Sequence, residues 1–209
     1  MSGFKVKVIV FLSTVFFFYK AVGQQRAKTE KGDPVILHDD GRWEYEKKPM
    51  ILATPKEYSK PSKSKKFLKG DKDAYAIWYD DKKWILQDSL PTRDVTFAFS
   101  HLGGEGFALV IAERVELSRD KLKEIALKNA QEVAPDIKIV NEEIRKVNGY
   151  DVLMLQLKGT IEGVTFVYYS YYYTGKIGAV QFITYTSDNL FSEYRDDFED
   201  LLNGLVILN

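Results

Sequence analysis

Between residues 138 and 186 the chain repeats one arrangement: a long run rich in β-branched and aromatic residues, then a pair of turn-forming residues, then another run. The runs are Lys138 to Lys146, Val152 to Thr160, Val164 to Thr174 and Ile177 to Thr186, and the separators are Asn148-Gly149, Glu162-Gly163 and Gly175-Lys176. Links this short join only antiparallel neighbours, because a parallel return needs a crossover of a dozen or more residues. The spacing predicts an antiparallel meander, and the rest of the domain has to pack around it.

Shorter strands are predicted at Tyr75 to Tyr79 and Lys83 to Leu86, joined by an Asp80-Asp81 turn, and stronger ones at Val95 to Ser100 and Phe107 to Arg114 around Gly103-Gly104. From Ser118 the apolar period becomes helical. Leu122, Ile125, Ala126, Ala130 and Val133 share a face, Ser118 can cap the start, and Pro135 follows the end. A second amphipathic helix begins near Asp188, turns Leu190, Phe191, Tyr194, Phe198, Leu201 and Leu202 inward, and stops at Asn203-Gly204. The fold class is α+β, a largely antiparallel sheet with packed helices.

Upstream of this body the composition changes. Residues 1–23 carry Lys5 and Lys7, the apolar run Val8 to Tyr19, and the small residues Ala21 and Gly23, the pattern of a secretory signal peptide. The run falls short of the roughly 20 residues that span a bilayer, so no membrane anchor is expected after cleavage. Residues 24–47 hold a β-hairpin, Pro34 to His38 and Arg42 to Glu46 around Asp39-Asp40-Gly41, similar to a short element that opens many exported bacterial proteins. Residues 48–72 read as an extended linker broken by Pro49, Pro55 and Pro61, with Met50-Ile51-Leu52 its one apolar patch, and the body spans 73–209.

Charge is divided along the same boundary. The chain has 30 basic and 30 acidic residues, and loss of Lys5, Lys7 and Lys20 with the signal leaves a net charge of −3. Eight lysines between Lys48 and Lys72 face only Glu57 and Asp71, a local charge of +6, so the remainder carries −9. An acidic body argues against nucleic-acid binding, and the lysine-rich linker is expected to touch anionic surfaces. The chain has no cysteine, which removes disulfides, thiolate metal sites and thiol nucleophiles.

From about Asp73 to Leu208 the sequence resembles the PsbP-like α/β/α sandwich group, which includes photosystem II extrinsic subunits and small exported bacterial proteins similar to DcrB. The resemblance lies in Gly106-Phe-Ala-Leu-Val-Ile-Ala-Glu-Arg114, Val147-Asn-Gly-Tyr150, Gly178-Ala-Val-Gln-Phe-Ile-Thr-Tyr185 and Phe198-Glu-Asp-Leu-Leu-Asn-Gly-Leu205. It implies an accessory or binding domain and carries over no catalytic residues.

No catalytic, cofactor or metal site is expected. His38 and His101, the two histidines, stand beside acids or turns without the three or four converging ligands of a metal site or the elbow of a nucleophilic serine. Gly103-Gly104-Glu105-Gly106 leads into a strand and so reads as a hairpin turn instead of a phosphate loop. Glu142 and Glu143 are adjacent on a strand and point to opposite faces. The distinctive feature is Val164 to Thr174, where Phe166, Tyr168 and Tyr172 alternate with Val167, Tyr169, Tyr171 and Tyr173. A strand covered on both sides reads this way. An open recognition surface made by Tyr169, Tyr171 and Tyr173 is the functional alternative.

The functional expectation is an exported, non-catalytic accessory protein of the cell envelope, periplasmic or extracellular, acting through contacts with another envelope protein and needing no cofactor. A small-molecule or lipid-binding module is the alternative, and a hydrolase with an acidic or His101-containing site a second one. Mass spectrometry of the exported form is expected to find Gln24 as the first residue. A chain that keeps Met1 and stays with membranes after carbonate washing overturns that expectation.

Overall fold

A computed structural model describes residues 25–29, 34–38, 40–45 and 56–208. The expected signal peptide, the Met50-Ile51-Leu52 patch and the first part of the expected linker lie outside the described residues. The chain divides into two compact units, Met1–Ile51 and Leu52–Asn209.

In the first unit, β1 (Gln25–Lys28), β2 (Pro34–Leu37) and β3 (Trp43–Tyr45) form an antiparallel sheet in the order β1-β2-β3. The expected hairpin is β2–β3, with Leu37 opposite Trp43 and Gly41 at φ 84°, and β1 adds a strand that the sequence reading left out.

The second unit contains β4 (Lys56–Tyr58), β5 (Lys66–Lys69), β6 (Tyr75–Tyr79), β7 (Trp84–Leu86), β8 (Val95–His101), β9 (Phe107–Glu113), α1 (Arg119–Val133), β10 (Lys138–Val147), β11 (Tyr150–Ile161), β12 (Val164–Gly175), β13 (Gly178–Ser187), α2 (Phe191–Leu202) and β14 (Leu205–Ile207). Its large sheet has the order β4-β10-β11-β12-β13-β9-β8-β7, antiparallel except where β4 runs parallel to β10. β10 to β13 are successive neighbours, so the meander is present as the separators required. Asn148 and Gly149 both have positive φ, as do Glu162 and Gly163, which gives two-residue turns whose twist matches that of the strands they join.

Both faces of the large sheet carry packed elements, one of them only in part. On one face α2 packs together with a small antiparallel sheet, β14-β6-β5, around Ile77, Phe99, Val110, Met154, Phe182, Phe198 and Leu201, all 2% exposed or less. On the other, α1 seals Leu122 and Ala126 against Leu153, Leu155, Leu157 and Tyr172. Ser118 caps α1 as expected, accepting a hydrogen bond from the Lys121 backbone N–H. None of the helices in the described residues is long and apolar enough to cross a membrane.

The expected linker is corrected from residue 56 onward. β4 and β5 fall inside it and pair with the body, Arg145 opposite Lys56 and Leu68 opposite Ile77. Tyr58 is 8% exposed and belongs to the core. Several of the linker's lysines meet partners: Lys63 pairs with Asp200 at 2.5 Å, Lys69 with Asp73 at 2.9 Å, and Lys60 lies 4.6 Å from the Trp78 ring centre. Tyr58→Ala is expected to lower unfolding free energy by about 3–5 kcal/mol, the cost of deleting a large buried aromatic. Denaturant unfolding separates this from the tether reading, in which the change would be close to neutral.

Candidate functional site

The alternation of β12 divides its aromatic residues as the sequence predicted, but the functional alternative attached to one face is corrected. Tyr169, Tyr171 and Tyr173 are 1%, 0% and 8% exposed and lie in the core beneath α2, so they form no open recognition surface. They face that way because Val152 and Met154 of β11 and Val180 and Phe182 of β13 share the face, and α2 presents Phe198 and Leu201 to it.

Two of these tyrosines hold a buried charge. Arg145, on β10, is 4% exposed. Its Nε donates to Glu143 at 2.9 Å, and its Nη1 donates to the Tyr171 hydroxyl and to Glu199 of α2, each at 2.9 Å. The guanidinium lies 4.5 Å from the Tyr58 ring centre, 5.5 Å from Tyr169 and 5.6 Å from Tyr171. The Tyr169 hydroxyl donates to the same Glu199 carboxylate at 2.8 Å, and that of Tyr171 donates to Asn203 at 2.9 Å. Asn148, in the β10–β11 turn, donates to the backbone carbonyls of Asn203 and Leu205 and accepts from the Lys60 backbone N–H. Burial works against the charge of Arg145, but Tyr171, Tyr169 and Glu143 offset it and raise the guanidinium pKa above its ordinary value. Burial also raises the Tyr169 and Tyr171 hydroxyls, which stay neutral donors.

The sequence reading passed over this network, although a signal for it existed. The Asn148-Gly149 turn fixes Arg145 opposite Val152, and the Glu162-Gly163 turn sets Met154, on the same face as Val152, opposite Tyr171. Arg145 therefore stands on the tyrosine face by parity alone.

His101 is nearly buried, and both of its ring nitrogens are engaged within the chain. Nδ1 accepts from the Gly103 backbone N–H at 2.9 Å, which leaves Nε2 to donate to Asp197 at 3.0 Å. Lys83 pairs with the same carboxylate at 3.0 Å, and Trp84 and Tyr194 meet the imidazole edge-on. The arrangement ties α2 to the β8–β9 turn and leaves no nitrogen open to a substrate. Gly103 to Gly106 do form that turn, with Gly104 at φ 107°. Glu142 pairs with Lys123 of α1 and Glu143 with Arg145, so the adjacent acids point apart as expected. Among the described residues no three His, Asp or Glu side chains converge to hold a metal. His38 lies in the other unit.

What the sheet leaves open lies beside α1. Phe107 of β9 pairs with Tyr185 of β13, which pairs with Tyr168 of β12, so three aromatic rings stand side by side across three strands. Phe107 and Tyr185 stack at 5.4 Å, and Tyr185 and Tyr168 at 5.5 Å. Phe107, Leu109 and Tyr185 belong to neither core and are half-buried. With Leu90, Pro91 and Ala98 they line a groove of about 220 Å³ whose polar margin is Gln87, Ser89 and Ser100. Burial raises the Tyr185 hydroxyl, and burial together with neighbouring Tyr185 raises that of Tyr168, so both are neutral hydrogen-bonding groups at any physiological pH.

No known family model matches the sequence, and no curated protein does. Solved structures are similar in fold. Cyanobacterial PsbP (CyanoP) from Synechocystis superposes with a TM-score of 0.53 at 14% identity, over 68% of this chain and 92% of that one. The body has a PsbP-like fold. Looser likenesses are PA94 from Pseudomonas aeruginosa, a putative regulator of unknown function (TM-score 0.45, 12% identity, 69% and 97% of the two chains), and LpqN from Mycobacterium tuberculosis, involved in cell envelope biogenesis (0.38, 10%, 69% and 83%). At these identities the likeness extends to fold alone.

Burial opposes the ionisation of Glu199, but hydrogen bonds from Tyr169 and Arg145 prevail and hold its carboxyl below the ordinary value of 4.5. A carboxylate lowered on folding contributes stability that is fully present above that value and is lost as pH falls through the lowered one. Glu199→Gln is expected to be less stable than the parent near neutrality and to lose less on acidification below about pH 4.5. Unfolding midpoints measured from pH 7 to pH 3 check this, and parallel curves for the two proteins would contradict it.

Proposed function

We propose that this chain is an exported, non-catalytic accessory protein of the cell envelope, periplasmic or extracellular, that works by binding another envelope protein. The observation that carries the reading is the Phe107–Tyr185–Tyr168 row with its Leu90–Pro91 groove, an aromatic surface whose Phe107 and Tyr185 lie outside both cores and whose Tyr168 borders the one beneath α1. Tyrosine and phenylalanine offer large contact area with little rotamer entropy to lose, and such residues dominate the energetics of protein interfaces. The signal-like first 23 residues and the PsbP-like fold support export and an accessory role.

A lipid-binding module is less well supported. Burying an acyl chain needs an apolar cavity, and the space between α2 and the sheet is occupied by Tyr169, Tyr171, Phe182, Phe198 and Leu201, none more than 1% exposed. A hydrolase built on His101 lacks a free ring nitrogen.

Affinity capture of the mature protein from its native envelope fraction, with Phe107→Ser and Tyr185→Ser beside the parent, tests the reading. A stoichiometric protein partner is expected with the parent and a loss of at least tenfold with each variant, since truncating a central aromatic contact costs about 2 kcal/mol or more. Both positions are half-buried, so the variants' unfolding midpoints are measured in parallel. Equal capture by folded variants, or capture of lipid in place of protein, overturns the proposal.

A further inference from the structure

At the far end of β9 from Phe107, about 20 Å along the strand, a second and larger groove opens. It encloses about 470 Å³ and is lined by Lys72, Asp73 and Ala74 ahead of β6, Arg114 and Glu116 after β9, Lys176 to Gly178 in the β12–β13 turn, and Leu208. That volume lies within the range of small-molecule sites. Its lining is divided, with Ala74, Ile177, Gly178 and Leu208 apolar and the remaining residues charged.

The charges do not cancel evenly. Asp71, beside the groove, pairs with Arg114 at 2.8 Å, and Asp73 pairs with Lys69 at 2.9 Å. Neither Lys72 nor Lys176 has a carboxylate within ion-pair distance among the described residues, and both are exposed. Among the described residues Glu116 is the lining acid without a cation, so two unpaired ammonium groups stand against one unpaired carboxylate. This cationic mouth sits in a body whose overall balance is acidic.

The backbone here is also held in costly conformations. Lys72 and Asp73 are consecutive non-glycine residues in the left-handed region, at φ 50° and 57°. Such residues persist only where the surroundings fix them, and they cluster at ligand clamps. Gly178, at φ 102°, lets the β12–β13 turn approach the chain after β9 so closely that a Cβ would overlap the Glu113 carbonyl. Strain and close approach thus meet on one groove, and they bring Lys72 and Lys176 to it from segments about 100 residues apart in sequence.

We infer that this groove binds a small soluble molecule with a single anionic head, carboxylate or sulfonate, on an apolar body: Lys72, Lys176 and the free guanidinium nitrogens of Arg114 take the head, and Ile177 and Leu208 take the body. The site stands apart from the aromatic row and does not depend on it.

The test uses the full mature chain and 8-anilinonaphthalene-1-sulfonate as probe, with N-phenyl-1-naphthylamine as the same ring system without the sulfonate. The double variant Lys72→Asn, Lys176→Gln removes both free cations, and asparagine suits the left-handed backbone at 72. Saturable binding of the sulfonate is expected, about tenfold tighter than that of the uncharged analogue. It should weaken to a similar degree in the double variant and with added salt, while Phe107→Ser leaves it unchanged. Affinity within twofold of the parent in the double variant, or equal binding of the uncharged probe, overturns the proposal. So does sedimentation with phosphatidylglycerol vesicles, lost in the variant, in the absence of sulfonate binding, because the same cations would then serve a lipid headgroup.

Discussion

The buried guanidinium of Arg145 is the constraint on which the rest of the second unit depends. It sits where β4, β10, β12 and α2 converge, and each supplies a group it needs: the Tyr58 ring, Glu143, the Tyr171 hydroxyl and Glu199. Arginine suits the place because its planar fork donates in several directions and stacks on aromatic faces. An apolar residue of similar volume could fill the space as cheaply, and buried ion pairs are weak evidence of stability in themselves. Removing one partner is another matter, because the remaining charge is then stranded, at a cost of about 3–5 kcal/mol. The network thus acts mainly on geometry. With Asn148 bonded to Asn203 and Leu205, it sets where the C-terminal end of α2 lies on the sheet, and His101 fixes the middle of the helix through Asp197.

The same logic explains why residues 56–72, part of a stretch composed like a linker, fold. Counted alone, residues 48 to 72 carry +6 and ought to repel themselves into solvent. For Lys63 the opposing charge lies more than a hundred residues away, on Asp200 of α2, while Lys66 and Lys69 meet Asp81 and Asp73 close by in sequence. Exposed pairs of this kind contribute little each. The stronger attachment is apolar and backbone-borne, through Tyr58 in the core and the pairing of β5 with β6.

Sequence legibility follows the range of the interactions. The meander, both helices and the Ser118 cap were readable because turn residues and apolar period are local properties, and they placed Tyr169, Tyr171 and Tyr173 on one face correctly. What covers that face was not readable, since α2 and the small sheet arrive from elsewhere in the chain, and so the tyrosines were available to a surface reading that the structure corrects. β4 and β5, of three and four residues, are too short to show a period. The aromatic row depends on β9 pairing with β13, a non-sequential neighbour, so only its Tyr168 could be assigned to a face in advance.

The geometry of layers accounts for an open face, though not for what occupies it. Eight strands spaced about 4.8 Å apart make a sheet roughly 34 Å wide, and one helix about 10–12 Å across covers two or three of them. α1 lies over β10 to β12, which leaves β13, β9 and β8 without a helix on that side. A solvated sheet face ordinarily alternates to polar residues, as Ser100 does here with Gln87 hydrogen-bonded to it. Phe107, Tyr185 and Tyr168 break that pattern at the centre of the open area. Their mutual stacking hides ring faces and leaves mainly edges and hydroxyls outward, so the row can stand in water without a permanent cover. An obligate interface would present a broader apolar surface. On the proposed binding reading, a narrow, self-stacked row with a polar margin is the kind of surface that suits transient contact.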